Sequence, residues 1–273
     1  MVGFVIPFKS KEKSKNWELD CALLDRTLKS VLNQTDKNFK CYVTYTDLPK
    51  SPRQHEKIVW VQFPFPFATA DKIEDAEKYN SFGKEKKHWE HLPFFYDQGR
   101  KSLYGTAQAK KEGCQYIMML DADDLLSNKI TGYINQQDPS TNVGFYVNQG
   151  YLYAENGSLL IKVPDQMNFM CGSVNIIRGD VIPETDFSIN TYENYSFFAA
   201  HSYVRTRIQY SHSETIKPLP FYGLVYVFHS TNEMASKTDL KKLSLRNLAK
   251  KIIRGKLITP AVRKEFGIYK LTQ

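Results

Sequence analysis

Apolar residues recur along this chain with two different periods, and the alternation between them predicts an α/β domain. Val2 to Phe8 is a short apolar run closed by Pro7, the pattern of a strand. From Trp17 to Asn33, Leu19, Leu23, Leu24, Leu28, Val31 and Leu32 fall at helical spacing, as in an amphipathic helix laid over a sheet. Phe39 to Thr46 alternates as a second strand stopped by Asp47 and Pro49, and Ile58 to Phe63 reads as a third. Pro64 to Pro93 then loses its periodicity for long enough to suggest a binding loop or lid. Helical spacing returns from Tyr96 to Glu112, with Gly113 placed as a C-cap behind Lys110 and Lys111. Tyr116 to Leu120 is an unbroken apolar run, the mark of a strand buried on both faces.

The second half repeats the alternation less regularly. Lys129 to Gln136 reads as a short helix, Val143 to Tyr153 as one strand entering an Asn156-Gly157 turn, and Ser158 to Val163 as its hairpin partner. Val174 to Ile177 and Phe221 to Phe228 are further strands, with a helix-like stretch through His201 to Arg207 between them.

Composition narrows the class. The 273 residues are 42% hydrophobic, enough to bury a full core, and no apolar run is long enough to cross a bilayer. Cys21, Cys41, Cys114 and Cys171 lie far apart without a Cys-x-x-Cys pair, so they read as buried thiols of a reducing compartment. The net charge of +8 is concentrated at one end: 11 Lys or Arg against Asp239 and Glu265 from residue 237 onward leave the rest of the chain close to neutral. A nucleic-acid-binding body should carry its positive stripe on the fold itself, so no nucleic-acid partner is expected. Leu240, Leu243, Leu248, Ile252 and Ile253 alternate with those cations, the pattern either of a basic helix on an anionic membrane or of a terminal helix packed on the body.

The candidate chemistry sits where the central strand ends. Tyr116 to Leu120 stops in Asp121, Asp123 and Asp124, and in an open α/β sheet ligands bind just beyond the carboxyl ends of strands. In extended backbone the side chains of residues 121 and 123 point the same way and could share a divalent cation. Three acids there suit equally a solvated turn in which Asp123 or Asp124 caps the next helix. Gly99-Arg100-Lys101 falls where the helix from Tyr96 begins, so Arg100 and Lys101 could meet a diphosphate. His88 and His91 lack a third ligand for zinc and read as surface or substrate-loop residues.

The apolar strand ending in Asp-Ala-Asp-Asp, the opening strand with Pro7, the stretch Leu28-Lys29-Ser30-Val31-Leu32-Asn33-Gln34-Thr35, and the late strand ending in His229-Ser230-Thr231-Asn232 resemble the nucleotide-sugar-dependent glycosyltransferases of the GT-A fold, closest to the family 2 type. The resemblance implies an α/β GT-A (nucleotide-diphospho-sugar transferase) fold with a central, mostly parallel sheet flanked by helices. It covers residues 1–232, with 1–127 as the nucleotide-sugar-binding half and 128–232 as the acceptor half, and leaves 233–273 as a basic C-terminal helical tail. Asp121, Asp123 and His229 would hold Mn²⁺ or Mg²⁺. Pro7 and Phe8 would flank the base and ribose, Asp47 would bond the base edge, Asp121 and Ala122 would lie against the nucleotide, and Gly172 would lie under the donor sugar. The proton acceptor is expected between residues 184 and 201, with Glu193 first and Asp186 and His201 after it. The partners implied are a nucleotide-diphosphate sugar and a glycan or lipid-linked acceptor, with inversion at the transferred sugar and a cytoplasmic location, peripheral to the inner face of the membrane if the basic tail binds there. Where the family has Ala-Arg-Asn this chain has Gly99-Arg100-Lys101. That departure keeps a non-catalytic glycan- or nucleotide-binding protein as the alternative. A sugar nucleotidyltransferase ranks below it, because the loop Pro7-Phe8-Lys9-Ser10 has no glycine.

Overall fold

A computed structural model of the chain describes residues 1–80, 86–199, 204–212, 216–230 and 255–271, without the side chains of 79–80, 86–90, 199 and 210–212. Its centre is β4 (Tyr116–Met119), whose four residues are all buried. On one side β4 pairs in parallel with β1 (Val2–Pro7), which pairs in parallel with β2 (Phe39–Tyr45), and β2 in turn with β3 (Ile58–Gln62). On the other side lie β9 (Asn175–Arg178), antiparallel to both its neighbours, then β6 (Gly144–Tyr146) and β10 (Lys217–Pro218). The seven strands run β10-β6-β9-β4-β1-β2-β3, the mostly parallel α/β sheet that the sequence implied. After β3 the chain returns to the opposite side of β1, so the ends of β1 and β4 flank a topological switch point.

Among the described residues there is also a second sheet, of five strands. It runs β12 (Gly255–Leu257), β8 (Leu159–Val163), β7 (Gln149–Ala154), β11 (Tyr222–Phe228) and β5 (Leu125–Leu126). The single strand expected from Val143 to Tyr153 is thus two strands, one in each sheet. Both halves are apolar, and a continuous run cannot show where a chain changes sheets. The crossing is made at Val147 and Asn148, whose backbone groups bond Val174 and Met167.

Helix α1 (Trp17–Leu32) starts where Asn16 accepts the Leu19 N–H at 3.1 Å, and it buries Leu23, Leu24, Leu28 and Val31. Helix α3 (Lys86–Lys111) departs further from expectation, beginning ten residues before Tyr96 and running through Pro93. The proline removes one backbone bond. That loss is offset by Leu92 and Tyr96, buried with Ile73 and with Ala76 of α2 (Ala76–Asn80). Gly105 lets α3 lie tightly on the sheet, since a Cβ there would meet Thr44 Oγ1 at 2.5 Å and Val5 Cγ1 at 2.7 Å. Gly113 ends the segment with φ +80°, as its C-cap role requires.

The helix α4 (Ile130–Asn135) forms as read. The helix-like stretch expected through His201 to Arg207 meets α6 (Val204–His212), while α5 (Tyr192–Ala199) comes before it and packs on α3. The boundary expected at residue 232 needs correction. Residues 255–271 return to the body: β12 joins the second sheet, and α7 (Pro260–Phe266) buries Val262 and Phe266. Arg26, fully buried, holds Glu155 at 2.7 Å and the Tyr269 carbonyl at 3.2 Å, and Ser30 bonds the Phe266 carbonyl at 2.9 Å. The apolar positions from Leu240 to Ile253 lie outside the described residues.

Candidate active site

The cavity that the switch point creates has a volume of about 400 Å³ and is walled by the ends of β1 and β4. Pro7, Phe8 and Lys9 come from β1 and its loop, Asp121, Ala122 and Asp123 follow β4, and Gly172 and His229 close the far side. The turn after β4 and the start of β5 are held from several parts of the chain. Asp121 donates its N–H to Ser173 Oγ at 2.8 Å, Thr27 Oγ1 donates to the Ala122 carbonyl at 3.0 Å, and Ser30 Oγ accepts the Leu126 N–H at 2.9 Å.

The three acids have different surroundings. Asp123 lies 2.6 Å from His229 Nε2, the imidazole itself being nearly buried at 4% exposed. Asp121 receives the Gln98 side-chain amide at 2.8 Å. Burial first, and the Asp123 charge second, push the Asp121 carboxyl up to about 7. Asp124 turns inward, where it is fully buried and accepts from Ser173 Oγ at 2.7 Å, Cys171 Sγ at 3.0 Å and the Val227 N–H at 3.3 Å. It ties the Gly172 loop and β11 to the motif, and it does not cap a helix.

Two donor sets could therefore hold a cation. Ligand atoms of Asp121, Asp124 and Cys171 lie within 4.8 Å of one another. Burial holds the Cys171 thiol protonated, however, and the thiol donates to Asp124, which also accepts from Ser173 and Val227. Asp121, Asp123 and His229 all line the cavity, and an Asp121 carboxyl whose proton affinity the neighbouring Asp123 charge raises lies close enough to Asp123 for the two to share a hard divalent ion. Carboxylates with a histidine suit Mn²⁺ or Mg²⁺ by their chemistry, whereas the first set is the one whose three ligand atoms lie within 4.8 Å of one another.

The structure separates the other expected residues. Pro7, Phe8, Lys101, Ala122 and Gly172 line the cavity, and so does His91. Asp47 does not, since its carboxylate accepts the Lys11 N–H at 2.8 Å and so pins the loop after β1. Arg100 and Lys101 are not at a helix N-terminus, because α3 continues well before them and its own amides are already bonded within the helix. Lys101 is buried against Asp97 at 2.8 Å and the Phe8 carbonyl at 3.0 Å. Arg100 turns to the opposite face of α3, into the rings of Phe63, Phe65, Tyr96 and Tyr195. Asp186 is exposed and bonds the Ser188 N–H and hydroxyl, while Glu193 is exposed in the first turn of α5, whose amides are capped by Asp75. Neither lines the cavity, and His201 lies outside the described residues.

Sequence reasoning missed Asp20, Asp97, Gln98 and Tyr226, which also line the cavity. The signal for the α3 residues was present in the spacing of His91, Phe94, Gln98 and Lys101, which puts them on one helical face once the helix is extended through Pro93.

No family model matches the chain, and no curated protein matches it. Among solved structures, S. aureus TarS 1–349 is similar over 83% of this chain and 60% of its own, with 11% identity and a TM-score of 0.41. The same S. aureus fragment in complex with UDP-GlcNAc is similar over 86% of this chain and 60% of its own, with 11% identity and a TM-score of 0.42. The longer S. aureus TarS is similar over 83% of this chain and 36% of its own, at 11% identity and a TM-score of 0.40. The chain thus spans 60% or less of the length of these structures.

Proposed function

We propose that this protein is a GT-A glycosyltransferase of the family 2 type, which transfers a sugar from a nucleotide-diphosphate donor to a hydroxyl of a glycan or lipid-linked acceptor. The observation that carries the reading is the convergence of Asp121, Asp123 and His229 at the end of β4 on one cavity with Pro7 and Phe8 at the end of β1. That is the crevice where an α/β sheet receives a nucleotide. Asp121, Asp123 and His229 would hold Mn²⁺ or Mg²⁺, and the ion would neutralise the charge that grows on the departing diphosphate.

The chain's own residues do the rest. Gln98 keeps one Asp121 oxygen engaged and so fixes which way the carboxylate faces. Lys101, held at the end of β1, adds with Lys9 a positive charge to a wall that also carries the carboxylates of Asp20, Asp97, Asp121 and Asp123. The buried Asp124 keeps the Gly172 loop against the cavity through Cys171 and Ser173. Direct attack by the acceptor on the face opposite the leaving group inverts the anomeric carbon.

A cytoplasmic location, with the basic residues of the 231–254 segment drawn to an anionic membrane, completes the proposal. Among the described residues no helix is long and apolar enough to cross a membrane. The test is release of free nucleoside diphosphate from a panel of UDP- and GDP-linked sugars, with Mn²⁺ and with EDTA. Metal-stimulated release from at least one donor is the expected result. A folded protein that binds nucleotide sugars but releases nothing with any acceptor extract favours the non-catalytic alternative.

A further inference from the structure

A transfer of this kind needs a group that takes the acceptor's proton, and the cavity restricts which residue can do so. Exposed Asp186 and Glu193 lie on the α5 side of α3, which meets that helix through Tyr96 and Arg100, while the cavity is on the other side of α3. The carboxylates that do line the cavity, among the described residues, are Asp20, Asp97, Asp121 and Asp123. Asp121 and Asp123 belong to the cation site. Asp20 accepts the Ser14 hydroxyl at 2.6 Å and has a further interaction besides, so it is taken up where it stands.

Asp97 remains, and its surroundings suit the task. It is 8% exposed, and the neighbouring residue in α3, Gln98, reaches across the cavity wall to Asp121. Its Oδ2 meets Lys101 Nζ at 2.8 Å, leaving Oδ1 as the oxygen to accept from a ligand. Lys101 and Arg100 from α3 favour its charged form, and Glu12 from the loop after β1 opposes them. Burial outweighs the two cations and holds the carboxyl above its ordinary range, toward the pH at which a base is most effective.

We infer that Asp97 is the general base of the transfer reaction, a catalytic residue carried on α3 and not on the 184–201 segment. The inference rests on the glycosyl-transfer reading above. As the acceptor oxygen bonds the anomeric carbon, the bond from that carbon to the diphosphate oxygen breaks and its electron pair leaves on the diphosphate. The acceptor's proton passes to Asp97, which later gives it to water. Lys101 is the positioning residue that holds the carboxylate in place.

The experiment uses the full chain, a sugar nucleotide that the parent consumes, and water as acceptor, so that no acceptor need be identified. Asp97→Asn is expected to bind nucleoside diphosphate with Mn²⁺ within about twofold of the parent by calorimetry, while kcat falls by about 10²- to 10⁴-fold. The acid limb of its kcat/KM profile should disappear. Asp97→Glu should recover part of the rate. Lys101→Met removes a charge that favours the ionised carboxylate, so it should move the acid limb to higher pH, and it serves as the second variant should Asp97→Asn not fold. An Asp97→Asn protein that keeps more than a tenth of the parental kcat, or an acid limb that Lys101→Met leaves unmoved, overturns the assignment of Asp97 alone. A parent that neither binds nucleoside diphosphate nor consumes any sugar nucleotide overturns the transfer reading together with it.

Discussion

Residues 121–124 and residues 184–201 each carry acids that their place in the sequence marks as chemical, yet the fold treats them in opposite ways. The first group follows a fully buried strand, and Thr27, Gln98, Ser173 and His229 come to it from four other parts of the chain. The second lies on an exposed turn and an exposed helix start, where Asp186 serves Ser188 and the Asp75 carboxylate caps α5. The difference teaches that an acid reaches the cavity here through the partners that hold it there, and that a helix standing between an acid and the cavity keeps the two apart.

The largest expected effect comes from breaking the first group. Asp123→Ala should fold as the parent does and lose about 10²- to 10³-fold in the rate of nucleoside diphosphate release, a loss typical of removing an electrostatic stabiliser. Steady-state release with Mn²⁺, read beside a melting curve, checks both halves of that statement. A smaller effect is expected from Gln98→Leu, which frees Asp121 without touching the proposed ligands. Outer partners of metal ligands contribute about 10- to 100-fold in affinity, so Mn²⁺ titrated by paramagnetic resonance should bind that much more weakly. Unchanged Mn²⁺ binding would make Gln98 a packing residue only.

A third test uses pH. The folded Asp121 carboxyl sits near 7, above its ordinary value of about 3.9, so between those values the folded state keeps a proton that the unfolded state has lost. Its contribution to stability is therefore present at low pH and is lost as pH rises from about 4 through about 7. Compared with Asp121→Asn in EDTA, the parent should lose melting temperature over that interval while the variant does not, and Mn²⁺ should restore the parent at pH 7. Calorimetry at pH 5 and pH 7.5 measures this. The smallest effect completes the comparison: Glu193→Ala and Asp186→Ala, surface changes away from the cavity, should leave release rates within about twofold of the parent. A loss of a hundredfold in either would return the proton acceptor to the 184–201 segment.

Much of this was legible in the chain because it depends on local order. Tyr116 to Leu120 had to be a strand buried on both faces, and α1 followed from the spacing of Leu24, Leu28 and Val31. The helix through Pro93 was hidden because its cost is local while its compensation, Leu92 and Tyr96 against Ile73 and Ala76, comes from elsewhere in the chain. Residues 255–271 looked like the continuation of a basic tail because charge composition says nothing of the strand register by which Leu257 pairs with Leu159.

Sequence alone determined the alternation of strands and helices, the acids at the end of the central strand and the late histidine after an apolar strand, because periodicity and strand termini are properties of neighbouring residues. Tertiary structure alone decided that His229 meets Asp123, that Asp124 turns inward to Cys171 and Ser173, and that Asp97 faces the cavity while Glu193 does not. Those choices depend on how sheets and helices stack, and a side chain's partners across such a stack are set by packing between segments far apart in the chain.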